Sequence, residues 1–218
     1  MEESTICFIV NSRIGEKKIF QLNEAIKQNI NLPVEIYYTQ FGGHATELAK
    51  QAIDKKTSII VAVGGDGTVN EIIQLVAKSE SALAIVPTGS GNGLARHCQI
   101  PLEIEQAVKL ITSGRPEKID LGKANDIYFI SNAGVGFDAI VCQAIKETKS
   151  RGLKMYMLKV VQHYFTYKSA YYQIESGGKT FTEKAFLLNV ANGKEFGYGF
   201  EIAPEANLQD GMLDMILV

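Results

Sequence analysis

Residues 57–74 read TSIIVAVGGDGTVNEIIQ, and the way this stretch divides decides the fold of the chain. Residues 58–63 are rich in Ile and Val and too short for a long helix, a run of the kind buried on both faces of a parallel sheet. An abrupt Gly-Gly-Asp-Gly ends it. Gly64, Gly65 and Gly67 allow backbone conformations closed to other residues and remove the side chains that would hold a ligand off the main-chain amides. Thr68 and Glu71 then have the spacing of a capping box, Thr68 bonding forward to the amide of Glu71 and Glu71 reaching back, so a helix is expected from about Thr68. Its unpaired amides and positive dipole end face the loop, which is the ordinary physics of a phosphate site.

The same strand, loop and helix recur on both sides of this module. Residues 5–10 are a short β-branched run ending in the polar turn Asn11-Ser12-Arg13-Ile14-Gly15, with an amphipathic segment over 17–28. Residues 33–39 alternate as a strand, and Gly42-Gly43 lead into a helical pattern over 44–54. Residues 82–86 form the next strand, 87–93 read PTGSGNG, a short helix starts at Leu94, and another helix covers 104–113. Such alternation predicts a parallel sheet with right-handed crossovers, helices on both faces and every loop at the carboxyl ends of the strands, where open α/β sheets bind ligands.

At Gly114-Arg115-Pro116 the texture changes, which places a boundary between a nucleotide-binding domain at 1–115 and a β-rich domain at 116–218. Strand-like segments at 118–121, 127–134, 170–176 and 179–191 follow with few helices between them, and the pattern predicts an antiparallel sheet. The interruption at 135–167 reads as helical, with Met155, Leu158, Val161 and Phe165 at spacings of three and four. Residues 203–211 are turn chemistry, and 212–218 form a last strand.

The 218 residues are 46% hydrophobic, enough to bury a sizeable core, and 22 Lys and Arg against 24 Asp and Glu carry no nucleic-acid signature. Cys7, Cys98 and Cys142 are far apart without paired spacing, which fits free thiols in a reducing compartment. No apolar run approaches a spanning helix and the start is acidic, so a cytoplasmic location is expected.

GGDGT is neither the dinucleotide fingerprint nor a Walker loop, since the third glycine of the first and the Gly-Lys-Ser/Thr of the second are both missing. An Asp inside a phosphate cradle needs a bridging cation, so Asp66 implies Mg²⁺; the plainer alternative is a tight turn in which Asp66 only caps the helix. PTGSGNG supplies a second glycine-rich loop on the same sheet edge, where Ser90 offers a hydroxyl, Gly91 a close backbone approach and Asn92 a side-chain amide. Asn11 and Thr39, ending the first and second strands, face the same crevice. Residues 146–168 carry Lys146, Lys149, Arg151, Lys154, Lys159 and Lys168 against one acid, Glu147, interleaved with aromatic residues and methionines. That composition suits peripheral contact with the inner face of a membrane, and equally a packed helix with a solvated basic face.

VAVGGDGTVNEII, AIVPTGSGNGLARH, KIDLG, FISNAGVGFDA and FGYGFEIAPEANLQDGMLD, in that order, resemble the signatures of the diacylglycerol kinase catalytic domain family, which includes bacterial lipid kinases and sphingosine kinases. The resemblance implies a phosphofructokinase-like α/β domain followed by a β-sandwich domain, with ATP in the cleft and the hydroxyl of diacylglycerol or a related lipid as phosphoryl acceptor. It also implies a nucleotide site at Thr39, Gly64, Gly65, Asp66, Gly67, Thr68, Val69, Asn70 and Ser90. Asp120 of KIDLG would join Asp66 in a magnesium and water network, and Asp210, with Asn207 and Met212, would match a structural metal site of bacterial members. Gly93 stands where many members carry an Asp. Members continue beyond the final strand to a carboxylate proposed as general base, so the resemblance implies a chain truncated at Val218 with little kinase activity. GGDGT alone also suits a soluble-acceptor kinase of the NAD kinase type, and a module that binds nucleotide or lipid without transfer has the same loops.

Overall fold

The computed structural model describes residues 5–148, 152–197 and 199–218. Four parallel strands, β1 (Ile6–Val10), β2 (Val34–Tyr38), β3 (Ile59–Gly64) and β4 (Ala82–Pro87), form one sheet in the order β2-β1-β3-β4. Ile6 pairs with Val34 on one side and Ile59 on the other, so β1 is a central strand and all five of its residues are buried. Strand order reverses between β1 and β3, the place where such sheets open a crevice at their carboxyl ends.

The crossover helices lie on both faces, as the alternation predicts. They are α1 (Glu16–Asn29), α2 (His44–Asp54) and α3 (Asp66–Val76), followed by the short α4 (Gly93–His97) and α5 (Ile104–Ser113). Cys7, Ile9, Ile60 and Ala62 point to one face and pack with Leu48 and Ala49 of α2 and Ile72 of α3. Phe8, Val10, Val61 and Val63 point to the other, against Leu22 and Ile26 of α1 and Val108 of α5. The period-two alternation of the strands thus feeds two cores, each meeting the apolar stripe of its helices. Burial pushes the Cys7 thiol up to about 12, which keeps it neutral inside the first core.

Antiparallel pairing takes over beyond residue 121. β5 (Gly122–Ala124) pairs with β6 (Ile127–Phe129), β8 (Ala170–Ser176) with β9 (Lys179–Ala185), and β11 (Glu195–Gly197) with β12 (Phe200–Glu201). β7 (Asn132–Gly136), β10 (Leu187–Ala191) and β13 (Asp214–Leu217) form a three-stranded sheet in the order β13-β10-β7. Two helices, α6 (Phe137–Lys146) and α7 (Leu153–Tyr164), interrupt the strands.

Four expectations need correction here. The helix after GGDGT starts at Asp66 with Gly65 as its cap, and no capping box forms. Thr68 Oγ1 instead accepts a hydrogen bond of 3.2 Å from Asn11 Nδ2, a tertiary contact that replaces the local one. Residues 118–121 are not a strand. The run 127–134 breaks at Ile130 and Ser131, because the carbonyl of Ser131 accepts from the amides of Asn192 and Gly193 at 2.7 and 2.9 Å while Asn192 Nδ2 holds the Ile130 carbonyl at 2.8 Å. Finally, 179–191 is two strands in two different sheets, switching at Phe186, whose amide donates to the carbonyl of Val218.

Of the segment 135–167 expected to be helical, α6 and α7 are helices, whereas Val135 and Gly136 end β7; α7 buries none of its residues. Leu158, Val161 and Phe165 of its apolar stripe are 58%, 55% and 83% exposed. α7 is attached at its end, where Tyr164 and Tyr167 pack with Phe137 and Phe186. Lys149 and Arg151 of the basic segment lie outside the described residues. Among the described residues no helix is long and apolar enough to cross a membrane.

Candidate functional site

The loops after all four parallel strands line one cleft of about 1060 Å³. Asn11, Ser12 and Arg13 come from the end of β1, and Thr39, Gln40, Phe41 and Gly42 from that of β2. Residues 64–68 follow β3, and Thr88, Gly89, Ser90 and Gly91 follow β4. The opposite wall is built by the end of α6 and the start of α7, through Ile145, Lys146, Thr148, Gly152 and Tyr156. A parallel sheet positions the first wall because four strands in register must end together.

The two glycine-rich loops touch backbone to backbone. A Cβ on Gly89 would lie 2.5 Å from Gly65 Cα, and one on Gly65 would lie 3.1 Å from Gly89 Cα, so neither position accepts a side chain without moving a loop. Gly64 is constrained differently, since its Cβ would meet Thr68 Oγ1 at 2.3 Å. A Cβ on Gly67 would meet nothing within 4 Å, so this residue borders open space. The amides of Asp66 and Gly67, first in α3, have no main-chain partner among the described residues, as the start of a helix requires. The result is a concave surface of main-chain donors at a helix end, suited to phosphate oxygens.

Side chains complete the cradle. Asn11 is held at both ends, its Oδ1 accepting from the Arg13 amide at 3.0 Å and its Nδ2 donating to Thr68. Thr39 Oγ1 accepts from the Ser12 amide at 3.3 Å, which joins the β1 and β2 loops. Asp66 Oδ1 accepts from the Leu94 amide at 3.3 Å, tying the first glycine loop to the helix after the second. Its other carboxylate oxygen has no partner among the described residues and is exposed at the cleft. A carboxylate oxygen beside open phosphate donors, with Glu71 also on the cleft lining, fits Mg²⁺, an ion usually held by one or two carboxylates together with the substrate's phosphates. Arg13 and Lys146 bring positive charge from opposite walls.

Of the residues singled out in the sequence, Asn11, Thr39, Gly64, Gly65, Asp66, Gly67, Thr68, Ser90 and Gly91 come together at this cleft. Val69 points into the core at 2% exposure, and Asn70, whose carbonyl accepts from Gln74 Nε2 at 2.9 Å, is not part of the cleft lining. Asn92, in the left-handed region at φ 55°, turns its Nδ2 back onto the Gly89 carbonyl at 3.0 Å and shapes the loop from behind. Its buried Oδ1 and the buried Thr88 Oγ1 have no partner among the described residues.

Asp120 is not part of the cleft lining. Its Oδ2 accepts from the Gly211 amide at 2.7 Å, so it belongs with the turn around Asp210. There, Asp210 Oδ1 accepts from the Met212 amide at 3.0 Å and Asn207 Oδ1 from the Gln209 amide at 3.1 Å, bonds typical of Asp and Asn in turns. Among the described residues no group of three or more His, Cys, Asp or Glu is placed to hold a metal. The far wall, with Lys146 and Tyr156, escaped a reading of local motifs, because it meets the cradle only through the tertiary fold.

Two family models match this chain. The diacylglycerol kinase catalytic domain matches residues 5–124, and the YegS C-terminal NAD kinase beta sandwich-like domain matches residues 131–218. A protein of Cronobacter sakazakii named "Probable lipid kinase YegS-like" is 28% identical over 95% of this chain and 72% of its own length. The diacylglycerol kinase of Bacillus subtilis is 33% identical, over 94% of this chain and 69% of its own. Among solved structures, a diacylglycerol kinase of Bacillus anthracis superposes with a TM-score of 0.80 at 27% identity, covering 100% of this chain and 74% of that one. With the parallel sheet, its paired glycine loops and the antiparallel half all matched, this chain belongs to the diacylglycerol kinase catalytic domain family, a family of lipid kinases.

Proposed function

We propose that this chain binds MgATP in the cleft and transfers the γ-phosphoryl group to the hydroxyl of diacylglycerol or a related lipid. The observation that carries the reading is the backbone contact of Gly65 with Gly89, which joins the GGDGT and TGSG loops into one phosphate-sized cradle. Phosphoryl transfer asks mainly for positioning and charge neutralisation. In this reading the amides of Asp66 and Gly67 and the hydroxyl of Ser90 hold phosphate oxygens, Asn11 and Thr39 orient the nucleotide, and Arg13 and Lys146 balance charge. Mg²⁺, held by Asp66, supplies neutralisation of the charge on the transferring group. The nucleotide-binding part runs to about residue 115, where α5 has ended, and the lipid-binding part follows; the first family model extends a little further, to residue 124. The exposed stripe of α7, with Lys154 and Lys159 on the same helix and Lys168 just beyond it, gives a face for peripheral membrane contact.

One experiment tests the activity. The chain is incubated with γ-labelled ATP, Mg²⁺ and diacylglycerol vesicles, beside an Asp66→Ala variant. The expected result is label in the organic phase that is about 100-fold lower for Asp66→Ala than for the parent, however slow the parent itself, at the upper end of what loss of metal support costs. Label in NADP when NAD is offered would favour a soluble acceptor, and ATP binding without any labelled product would favour a non-catalytic module. An Asp66→Ala variant with undiminished Mg²⁺-dependent turnover would remove the role given to that carboxylate.

A further inference from the structure

Lys18 lies on α1, seventy residues before the loop that its ammonium touches: Nζ donates to the Thr88 carbonyl at 2.8 Å. The residue is half-buried and also borders a second cavity of about 420 Å³ on the far side of the loop, with Phe20, Glu24, Leu102 and Glu105. Thr88 and Gly89 line the nucleotide cleft, whereas Lys18 does not. One peptide group therefore has a cation behind it and the cleft in front of it.

The planarity of a trans peptide gives that placement a consequence. The carbonyl of Thr88 and the amide of Gly89 belong to the same rigid plane and point in opposite directions. A carbonyl held toward Lys18 turns the Gly89 N–H toward the cleft, and this amide has no partner among the described residues. The neighbouring fixings act on other atoms. The Thr88 amide donates to the Gly64 carbonyl, Asn92 Nδ2 to the Gly89 carbonyl and Arg96 Nε to the Gly91 carbonyl. Because Gly89 has no side chain to restrict its rotation, the peptide before it would otherwise turn easily.

We infer that Lys18 is a positioning residue of the nucleotide cradle: its hold on the Thr88 carbonyl aims the Gly89 amide at a phosphate oxygen of the bound nucleotide. The inference rests on the nucleotide reading above. It predicts a defect in binding rather than in chemistry, since an amide that meets a phosphate equally in the ground and transition states changes KM and leaves kcat in place.

The test uses the full chain, with Lys18→Met, Lys18→Gln and Lys18→Arg. Methionine keeps the apolar stem and removes the donor, glutamine is uncharged and too short, and arginine retains both charge and reach. MgATP affinity is measured by calorimetry, thermal midpoints are recorded for each variant, and KM and kcat are separated where turnover is seen. Affinity should fall about 10-fold in Lys18→Met and Lys18→Gln, with KM rising in step and kcat within twofold, and return in Lys18→Arg. Lys18→Gln decides the matter should methionine disturb the fold. A parent that binds MgATP beside Lys18→Met and Lys18→Gln variants of equal affinity would overturn the positioning role alone. A parent that does not bind MgATP would overturn the nucleotide reading and this inference together.

Discussion

Phe8, in the middle of the parallel sheet, is 0% exposed, whereas Met215, on the antiparallel strand β13, is 40% exposed. The contrast extends to the elements around them. β1 feeds side chains to two cores at once, each covered by helices, while the antiparallel half holds a small cluster of Ala191, Ala203 and Ala206 with Ile202 and Ile216 against it and sends Ile130 and Leu208 into the first of those cores. A one-residue slip would turn the core side chains of either sheet to solvent, but in the parallel sheet, buried on both faces, it would break two cores at once. The cleft lies between these regimes. Its cradle is built on the rigid half, and its far wall, at Lys146 and Tyr156, is built on helices that pack lightly.

Equal truncations on the two sheets are the most severe way to break this comparison. Phe8→Ala should cost about 3–5 kcal/mol, a large part of the stability of a domain this size, and Met215→Ala less than about 1 kcal/mol. Urea denaturation of both variants measures the difference. Equal costs would show that the antiparallel half is packed as tightly as the sheet, and the contrast would fail.

The next largest effect sharpens the comparison by asking what the open half is for. Leu158→Ser combined with Phe165→Ser removes two exposed apolar groups from α7 and its C-terminal cap and should leave the unfolding free energy within about 0.5 kcal/mol of the parent. Binding to vesicles containing anionic lipid should nevertheless fall about 10-fold, since even part of two buried side chains is worth more than 1.4 kcal/mol at a membrane. Co-sedimentation indifferent both to these changes and to anionic lipid content would leave α7 as a solvated helix with no membrane role.

The same asymmetry explains how much could be read from the sequence. In the parallel half, local pattern and tertiary structure agree: α2 and α5 run over the residues that periodicity marks, and each strand sits where an apolar run sits. Most of the cradle was legible too, because each βα loop carries its own glycines and the sheet then aligns all four. What failed were readings that took a residue's neighbours in sequence for its partners in space. Thr68 has the spacing to cap its own helix and bonds Asn11 instead. Asn92 and Val69 lie inside the glycine motifs and turn away from the cleft. In the antiparallel half, Ser131 and Phe186 break runs that look continuous, because their partners Asn192, Gly193 and Val218 come from far along the chain. Nothing in a run of apolar residues announces such a break.

The smallest effect concerns the seam where the two halves meet. His97 ends α4, and its Nδ1 accepts the amide of Lys194 at 3.0 Å, so this bond requires an unprotonated nitrogen. Burial first, and then the charge of Lys194, hold the His97 imidazole below its ordinary value of 6.5. With the folded value depressed, the unfolded chain binds the proton more tightly. The stabilisation is therefore complete above pH 6.5 and is lost as pH falls through the lower folded value. Urea midpoints should decline from about pH 7 to pH 5 in the parent and decline less in His97→Asn, whose side-chain oxygen can accept the same amide without titrating. A parent and variant with the same slope would show that the halves are joined elsewhere. In that event the step from Asn192 to Lys194 would owe its place to Asn192, whose Nδ2 spans the Asp120 and Ile130 carbonyls at 2.8 Å each, and to the Ser131 carbonyl, which accepts the amides of Asn192 and Gly193.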